Sequence, residues 1–507
     1  MRKLRLSLIL AAVCTMLSSS AISLAAPVLE YGTEPAAETE TRYDVNAQAV
    51  KNTTAILSET LKGNGTKENP FRISSVSDLL YLSKQVEEEN TDYASAYYLQ
   101  IADIDLTGTD YTPIGTKSNP FTGLYDGGKC RITLQNAVFE GDAFGIFGFA
   151  RGADFYNIDV EMNADVTFKE NTENSIYAGL LCGYYSVAEG TLSTVSGCRT
   201  IGALTVKSDF RTINAGGMFG TFQAKQVVYS DVLLSDCECA VDVKASAKTS
   251  PYIGGLAGRV DTAGRARVGF ERCVVGGSVY ADGYSTEAYT AYAGGLVGCL
   301  YVDDGDWSMW SSEASLMEAD RITITAKDCI VMPTALVASL MGDPGKSTAW
   351  VDWLCAGTSE AVTTQNCYYL KNDAVHPNAN APKLTEVESK KQLFSYELLS
   401  SLSLDMDCMW TWSEGESVSL RAEEKRVIAR QYGETLVVAP LGGQTGTIVV
   451  AYRTPTGKTF RFEVKNSLSA DEIFVFQVPK VNGIPAEASV FWLEPDSLKP
   501  LAAASKF

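Results

Sequence analysis

Histidine is almost missing from this sequence: His376 is the only one in 507 residues. That excludes an HExxH zinc site, a histidine-rich metal centre and any two-histidine mechanism. His376 sits in a polar, proline-containing loop, and no GxSxG nucleophile elbow exists for it to serve. Positive charge is also scarce. Lys+Arg total 42 against 61 Asp+Glu, a formal charge of −19, so the surface repels phosphate backbones and nucleic acid is excluded as a partner. Beyond residue 25 no apolar run reaches spanning length, so no membrane span is expected after that point. There is no CxxC pair, no Walker loop and no glycine fingerprint leading into a helix, so neither metal nor cofactor is expected.

The N-terminus carries an export pattern. Arg2, Lys3 and Arg5 precede an apolar stretch over residues 6–17, and Ser23-Leu24-Ala25 is a small-x-small cleavage site. Residues 1–25 read as a signal peptide, which places the mature protein outside the cell or on its surface. Val13 before Cys14 is too large for a lipobox. Residues 26–61 form an acidic leader with few strand formers.

A period then dominates the chain. Gly145-Ile146-Phe147-Gly148, Ala178-Gly179-Leu180-Leu181-Cys182-Gly183 and Ala215-Gly216-Gly217-Met218-Phe219-Gly220 share one pattern. Ile253-Gly254-Gly255-Leu256-Ala257-Gly258 and Ala293-Gly294-Gly295-Leu296-Val297-Gly298 repeat it, so the last glycines recur every 35 to 40 residues. Trp353-Leu354-Cys355-Ala356-Gly357 is a worn sixth copy. A second recurring strand opens on cysteine at Cys198, Cys237, Cys273, Cys329 and Cys367, with Asn157-Ile158 in the same place one cycle earlier. Units this short cannot bury an apolar face alone, whereas stacking them makes one continuous core. Cysteine packs well as a small hydrophobe in an inward ladder. Buried thiols are therefore favoured over the disulfides that export invites, even with twelve cysteines in the full chain.

These Gly-Gly-Leu-Val-Gly segments resemble the GLUG motif found in many exported bacterial surface proteins. The lead-in is similar too: Asn69-Pro70-Phe71-Arg72-Ile73, then Asp78-Leu79-Leu80-Tyr81-Leu82, Asp103-Ile104-Asp105-Leu106 and Pro120-Phe121-Thr122-Gly123-Leu124-Tyr125-Asp126-Gly127-Gly128. Lys129-Cys130 stands where the family usually has Gly-His. Gln392-Leu393-Phe394 and Trp410-Thr411-Trp412 through Leu420 resemble its terminating helix and last strand. The resemblance covers residues 62–421 and implies a scaffold more than a reaction.

The expected fold is all-β: a right-handed parallel β-solenoid over residues 62–421, capped near residues 79–88 by a helix. Six further strand patterns between Arg426 and Leu493, separated by Gly and Pro turns, predict a separate antiparallel sandwich over residues 426–497, with a tail at 498–507.

Candidate chemistry is thin. The pairs Asp103/Asp105 and Asp159/Glu161 and the trio Asp303/Asp304/Asp306 are the carboxylates a polysaccharide hydrolase or lyase would need, and solvated turns explain them as well. The unusual stretch is the insertion after the fifth copy, where Asp303, Asp304 and Asp306 stand beside Trp307 and Trp310. Insertions in solenoids emerge on one face, and aromatic rings beside acids suit a sugar. The reading is a non-enzymatic exported binding or adhesion protein with a glycan or extracellular protein ligand; the alternative is a carbohydrate-active enzyme, and a structural spacer for the C-terminal domain is a third option.

Overall fold

In a computed structural model the chain is mostly strand. The structure describes residues 60–139, 141–167, 175–209, 212–286, 288, 290–303, 323–341, 348–356, 362–373, 375, 377, 384–406, 409–420, 426–441, 445–454, 456–467, 472–494, 500 and 505–506. Residues 1–25, expected to be a signal peptide, nearly all of the expected leader, His376 and residues 304–310 of the candidate insertion lie outside them.

Three parallel sheets form the walls of a β-helix-like stack. One cycle shows the path. Ile176–Gly179 lies in the second wall, Cys182–Ser186 and Leu192–Ser196 in the first, and Arg199–Ser208 in the third. The chain then re-enters the second wall at Ile213–Gly216, directly above its own previous turn. The repeat seen in the sequence is therefore the length of one coil.

Register is kept strictly. Gly179, Gly216, Gly254 and Gly294 pair in succession, and Asp352 takes the fifth place. The segment around Trp353 is the sixth copy: Leu296 and Val297 N–H groups donate to the Leu354 carbonyl. An earlier rung precedes the first copy, since Ile146 accepts from Ile114 N–H. Glycine is needed where coils touch. A Cβ on Gly258 would stand 2.4 Å from Ala215 N, and one on Gly220 would stand 2.4 Å from Gly183 O.

The corner between the first and third walls has its own rule. Lys129, Asn157, Gly197, Asp236, Arg272, Asp328 and Asn366 all have φ between +51° and +67°. Each stands immediately before a rung of one inward column: Cys130, Ile158, Cys198, Cys237, Cys273, Cys329 and Cys367. Asn, Asp and Gly tolerate this left-handed turn best, which explains most of the residue choices there. Lys129-Cys130 is thus an ordinary first rung.

The ends are closed differently. A helix, Val76–Glu87, is capped by Ser75 Oγ accepting from Asp78 N–H at 3.2 Å. It buries Leu79, Leu82 and Val86 in the main core, and Ser83 Oγ donates to Thr112 O at 2.7 Å. The far end of the third wall finishes at Thr385–Val387 and is covered by the short helices Lys390–Leu393 and Tyr396–Ser401.

Residues 388–420 add no coil, contrary to the expected last strand. Trp410–Ser413 and Ser417–Leu420 pair with each other as an antiparallel hairpin. That hairpin lies back along the coils: Trp410 Nε1 donates to Asp236 Oδ1 at 3.2 Å, and Leu420 N–H donates to Glu238 Oε2 at 2.7 Å. The C-terminal strands form two antiparallel sheets, Arg426–Tyr432, Thr435–Leu441 and Phe474–Gln477 facing Thr459–Ser467, Gly446–Arg453 and Glu487–Leu493. They share a core of Val427, Leu436, Phe474, Ile448, Val450 and Trp492. Ser505–Lys506, assigned to a tail, adds a short strand against Ser489 and Val490. The sandwich has its own core and is seated on the first coils, where Arg430 pairs with Asp126.

Candidate functional site

The carboxylate pairs nominated from the sequence are engaged. Asp103 accepts from Arg131 N–H at 2.7 Å, and Asp105 accepts from Thr107 N–H at 2.9 Å in a turn that holds its carboxyl below the usual range. Asp159 and Glu161 bind Arg131 at 3.1 and 2.6 Å, and Arg199 bridges Asp159 to Glu238. These pairs lie on the third wall, beside the corner that the C-terminal hairpin covers. Among the described residues there is no group of three or more His, Cys, Asp or Glu placed to hold a metal ion.

The opposite corner, between the first and second walls, carries ladders of aromatic side chains. On the second wall Tyr177, Asn214, Tyr252, Tyr292 and Trp350 occupy one register position in successive coils. On the first wall Phe149, Tyr184, Thr221, Arg259 and Cys299 do the same. Strand alternation explains their outward position, because Ala178, Ile253 and Ala293 beside them are fully buried in the core. A third column, two positions further along the first wall, reads Arg151, Ser186, Gln223, Asp261 and Tyr301.

The rings form two clusters. Tyr177 and Tyr184 meet at 4.7 Å between centroids, with Phe149 5.6 Å from Tyr184. Tyr252 lies 5.1 Å from Tyr292, which stacks on Trp350 at 6.4 Å and 6°. The Arg259 guanidinium lies 5.3 Å from the Tyr252 ring and 5.2 Å from the Tyr301 ring, and its charge is met by Asp261. Between the clusters stand Asn214 and Thr221, whose buried Oδ1 and Oγ1 find no hydrogen-bond partner among the described residues. Such groups are costly to leave unpaired and mark the middle rung as unusual.

At the N-terminal end the groove opens into a cleft of about 540 Å³ lined by Lys117, Asp142, Phe149, Arg151, Tyr177, Tyr184 and Gln223, among others. Burial pushes the Tyr177, Tyr184 and Tyr292 phenols above their ordinary pKa. They stay protonated at neutral pH and act as hydrogen-bond donors and stacking faces, without basic character.

Of the sequence-derived site residues, Asp303 closes the strand Val297–Asp303, two positions beyond Tyr301. The insertion thus departs from the rim of this groove, while Asp304, Asp306, Trp307 and Trp310 lie outside the described residues. The aromatic ladders were readable in the sequence. Tyr177-Ala178-Gly179, Tyr252-Ile253-Gly254 and Tyr292-Ala293-Gly294 place an aromatic two residues before the same glycine. Comparison of the chain with protein-family models, with curated proteins and with solved structures gave no match to any of them.

Proposed function

We propose that this is an exported, non-enzymatic surface or adhesion protein that binds a glycan chain along the groove between the first and second walls. The observation that carries this reading is the aromatic column Tyr177, Tyr252, Tyr292 and Trp350. Coils stack at roughly 4.8 Å, the spacing of neighbouring strands, so a chain of pyranose rings laid along the axis meets an aromatic side chain on four of these five coils, the Asn214 coil being the gap. The protonated phenols and the fixed Arg259–Asp261 pair supply hydrogen bonds to hydroxyls. The export pattern at the N-terminus supports an extracellular setting. Binding without turnover fits the engagement of Asp103, Asp105, Asp159 and Glu161 in turns and ion pairs.

The test is a glycan and matrix-protein array probed with the mature chain, with polysaccharide turnover assayed in parallel. Tyr177→Ala, Tyr252→Ala and Tyr292→Ala are each expected to weaken glycan binding about fivefold, the equivalent of about 1 kcal/mol per stacked ring. Cleavage of a polysaccharide by the wild type would replace this reading with the enzymatic one. A protein-only hit, or full binding by the triple variant, would also overturn it.

A further inference from the structure

The cleft at the N-terminal end of the groove differs in charge from the coils further along it, where Arg259 is paired with Asp261. Arg131, Arg199, Arg259, Arg272 and Arg430 each bind at least one carboxylate. Lys117 and Arg151, which line the cleft together, have no carboxylate partner among the described residues. Asp142, the acid named in that lining, is bound to neither of them. In a chain of formal charge −19, two cations without an ion-pair partner, against the single carboxylate of Asp142, are thus set at one mouth of the proposed groove. They flank the cluster of Phe149, Tyr177 and Tyr184, whose rings are tilted by 44° and 64° to one another rather than forming one flat wall.

We infer that this cleft is a subsite for a carboxylated pyranose, so that the ligand of the groove is an acidic, uronate-containing polysaccharide. The inference rests on the glycan-binding reading above and adds the ligand's charge and its polarity along the solenoid. A sugar ring stacks on Tyr177 or Tyr184 while its carboxylate meets the Arg151 fork, whose planar geometry matches two carboxylate oxygens, with Lys117 as a second point charge. Further along the third column the positive charge runs out: Arg151 is followed in register by Ser186, Gln223 and then Asp261, whose charge is met by Arg259. The cationic end therefore fixes where the acidic unit sits, and the neutral, aromatic stretch takes the remaining units.

The experiment uses the full mature chain with oligogalacturonate and hyaluronan oligosaccharides, each beside its carboxyl-methyl ester, which keeps the backbone and removes the charge. At least one acid is expected to bind tenfold or more tightly than its ester, with the difference shrinking as salt is raised. The exposed pair Lys117→Gln/Arg151→Gln should abolish that difference. Lys458→Gln/Lys465→Gln, which removes two exposed charges from the sandwich, should change nothing and so excludes a general Coulombic effect. Esters that bind as tightly as acids, or a cleft variant that keeps the preference for acid, would overturn the subsite while leaving glycan binding intact. Failure of every acid, ester and neutral glycan would remove the groove reading as well.

Discussion

Arg430 reaches back 304 positions along the chain to Asp126, donating from Nε at 3.1 Å and Nη2 at 2.7 Å to the same carboxylate oxygen. Its guanidinium carbon lies 3.5 Å from the centre of the Tyr156 ring, and Tyr432 of the sandwich meets Tyr97 of an early coil edge-on. The C-terminal domain is thus fastened to the coils laid down first. Asp126 is itself part of the corner, accepting from Gly128 N–H and Asn157 Nδ2 at 3.0 Å each.

Removing one member of such a pair leaves the other buried and unpaired, which costs roughly 3–5 kcal/mol. Arg430→Met keeps much of the side-chain volume and is expected to release the sandwich while both cores stay folded. Calorimetry should then resolve two unfolding transitions, and small-angle scattering should give a larger radius of gyration. A single transition with an unchanged radius would show that other contacts hold the domain.

The glycine register makes a sharper stability forecast. Gly258→Ala or Gly220→Ala places a methyl within about 2.5 Å of backbone atoms on the adjacent coil, which cannot move without shifting the stack. Overpacking of this kind costs roughly 1–3 kcal/mol, and more where only backbone can give way. Gly276→Ala, whose added Cβ meets nothing closer than Met332 at 3.8 Å, should be near neutral. Comparing the chemical-denaturation midpoints of the three variants tests the register directly.

Most of the stack was legible because its determinants are local and repeated. The glycines mark coil contacts, the cysteine strands mark the inward column, and the helix over Val76–Glu87 shows apolar residues at helical spacing. The fate of residues 410–420 was not legible, because Trp410-Thr411-Trp412 alternates in the same way in a parallel or an antiparallel partner. What decides is the short Glu414-Gly415-Glu416 turn, with Gly415 at φ +72°, which closes a hairpin before the strand can join the third wall. The docking of Arg430 onto Asp126 was hidden for a different reason: a contact across 304 residues leaves no periodic trace. The groove falls between these cases, since its aromatics recur with the glycine period and become a surface only once the coils are stacked.

The cysteine column predicts an unusual redox and pH profile for a chain read as exported. All ten described cysteines are buried and unbridged. The thiols of Cys237, Cys273, Cys329 and Cys367 each lie in hydrogen-bonding reach of the preceding thiol, and each also points to a backbone carbonyl of the coil below. Burial pushes the Cys239 thiol up to about 12 and raises that of Cys237, while for Cys273 and Cys329 the hydrogen bond to the preceding thiol, together with burial, raises the thiol well above its ordinary value. Native protein at pH 8 should therefore resist alkylation, while denatured, unreduced protein should titrate most of its thiols as free. The stability of the neutral thiols is fully present below their unfolded pKa of about 8.5 and is lost as the pH climbs toward the folded values, because only the unfolded chain ionises there. Each contributes a slope of up to about 1.4 kcal/mol per pH unit above that point. Denaturation midpoints that stay flat from pH 8 to 10 would contradict the buried thiol ladder.

Asp352 gives the opposite end of the pH scale a single, assignable residue. It takes the place of the register glycine in the last paired coil, opposite Gly294, and it is buried. Burial raises its pKa to about 6, and the N–H groups of Leu354 and Cys355, donating to Oδ1 at 2.8 and 3.2 Å, only partly oppose that rise. The folded chain therefore binds a proton between about pH 4 and pH 6 that the unfolded chain releases. The corresponding stability is fully present below the unfolded pKa near 3.9 and is lost as the pH rises through 6, a change of up to about 3 kcal/mol. Asp352→Asn keeps the acceptor for both N–H groups and removes the titration. The variant is expected to match the wild type near pH 4 and to exceed it by about 2–3 kcal/mol at pH 7, read as the difference between paired denaturation curves, so that other carboxylates cancel. A wild type that is as stable as the variant at pH 7 would mean that Asp352 ionises in the fold at little cost, and the last coil would then be open to water at that carboxylate.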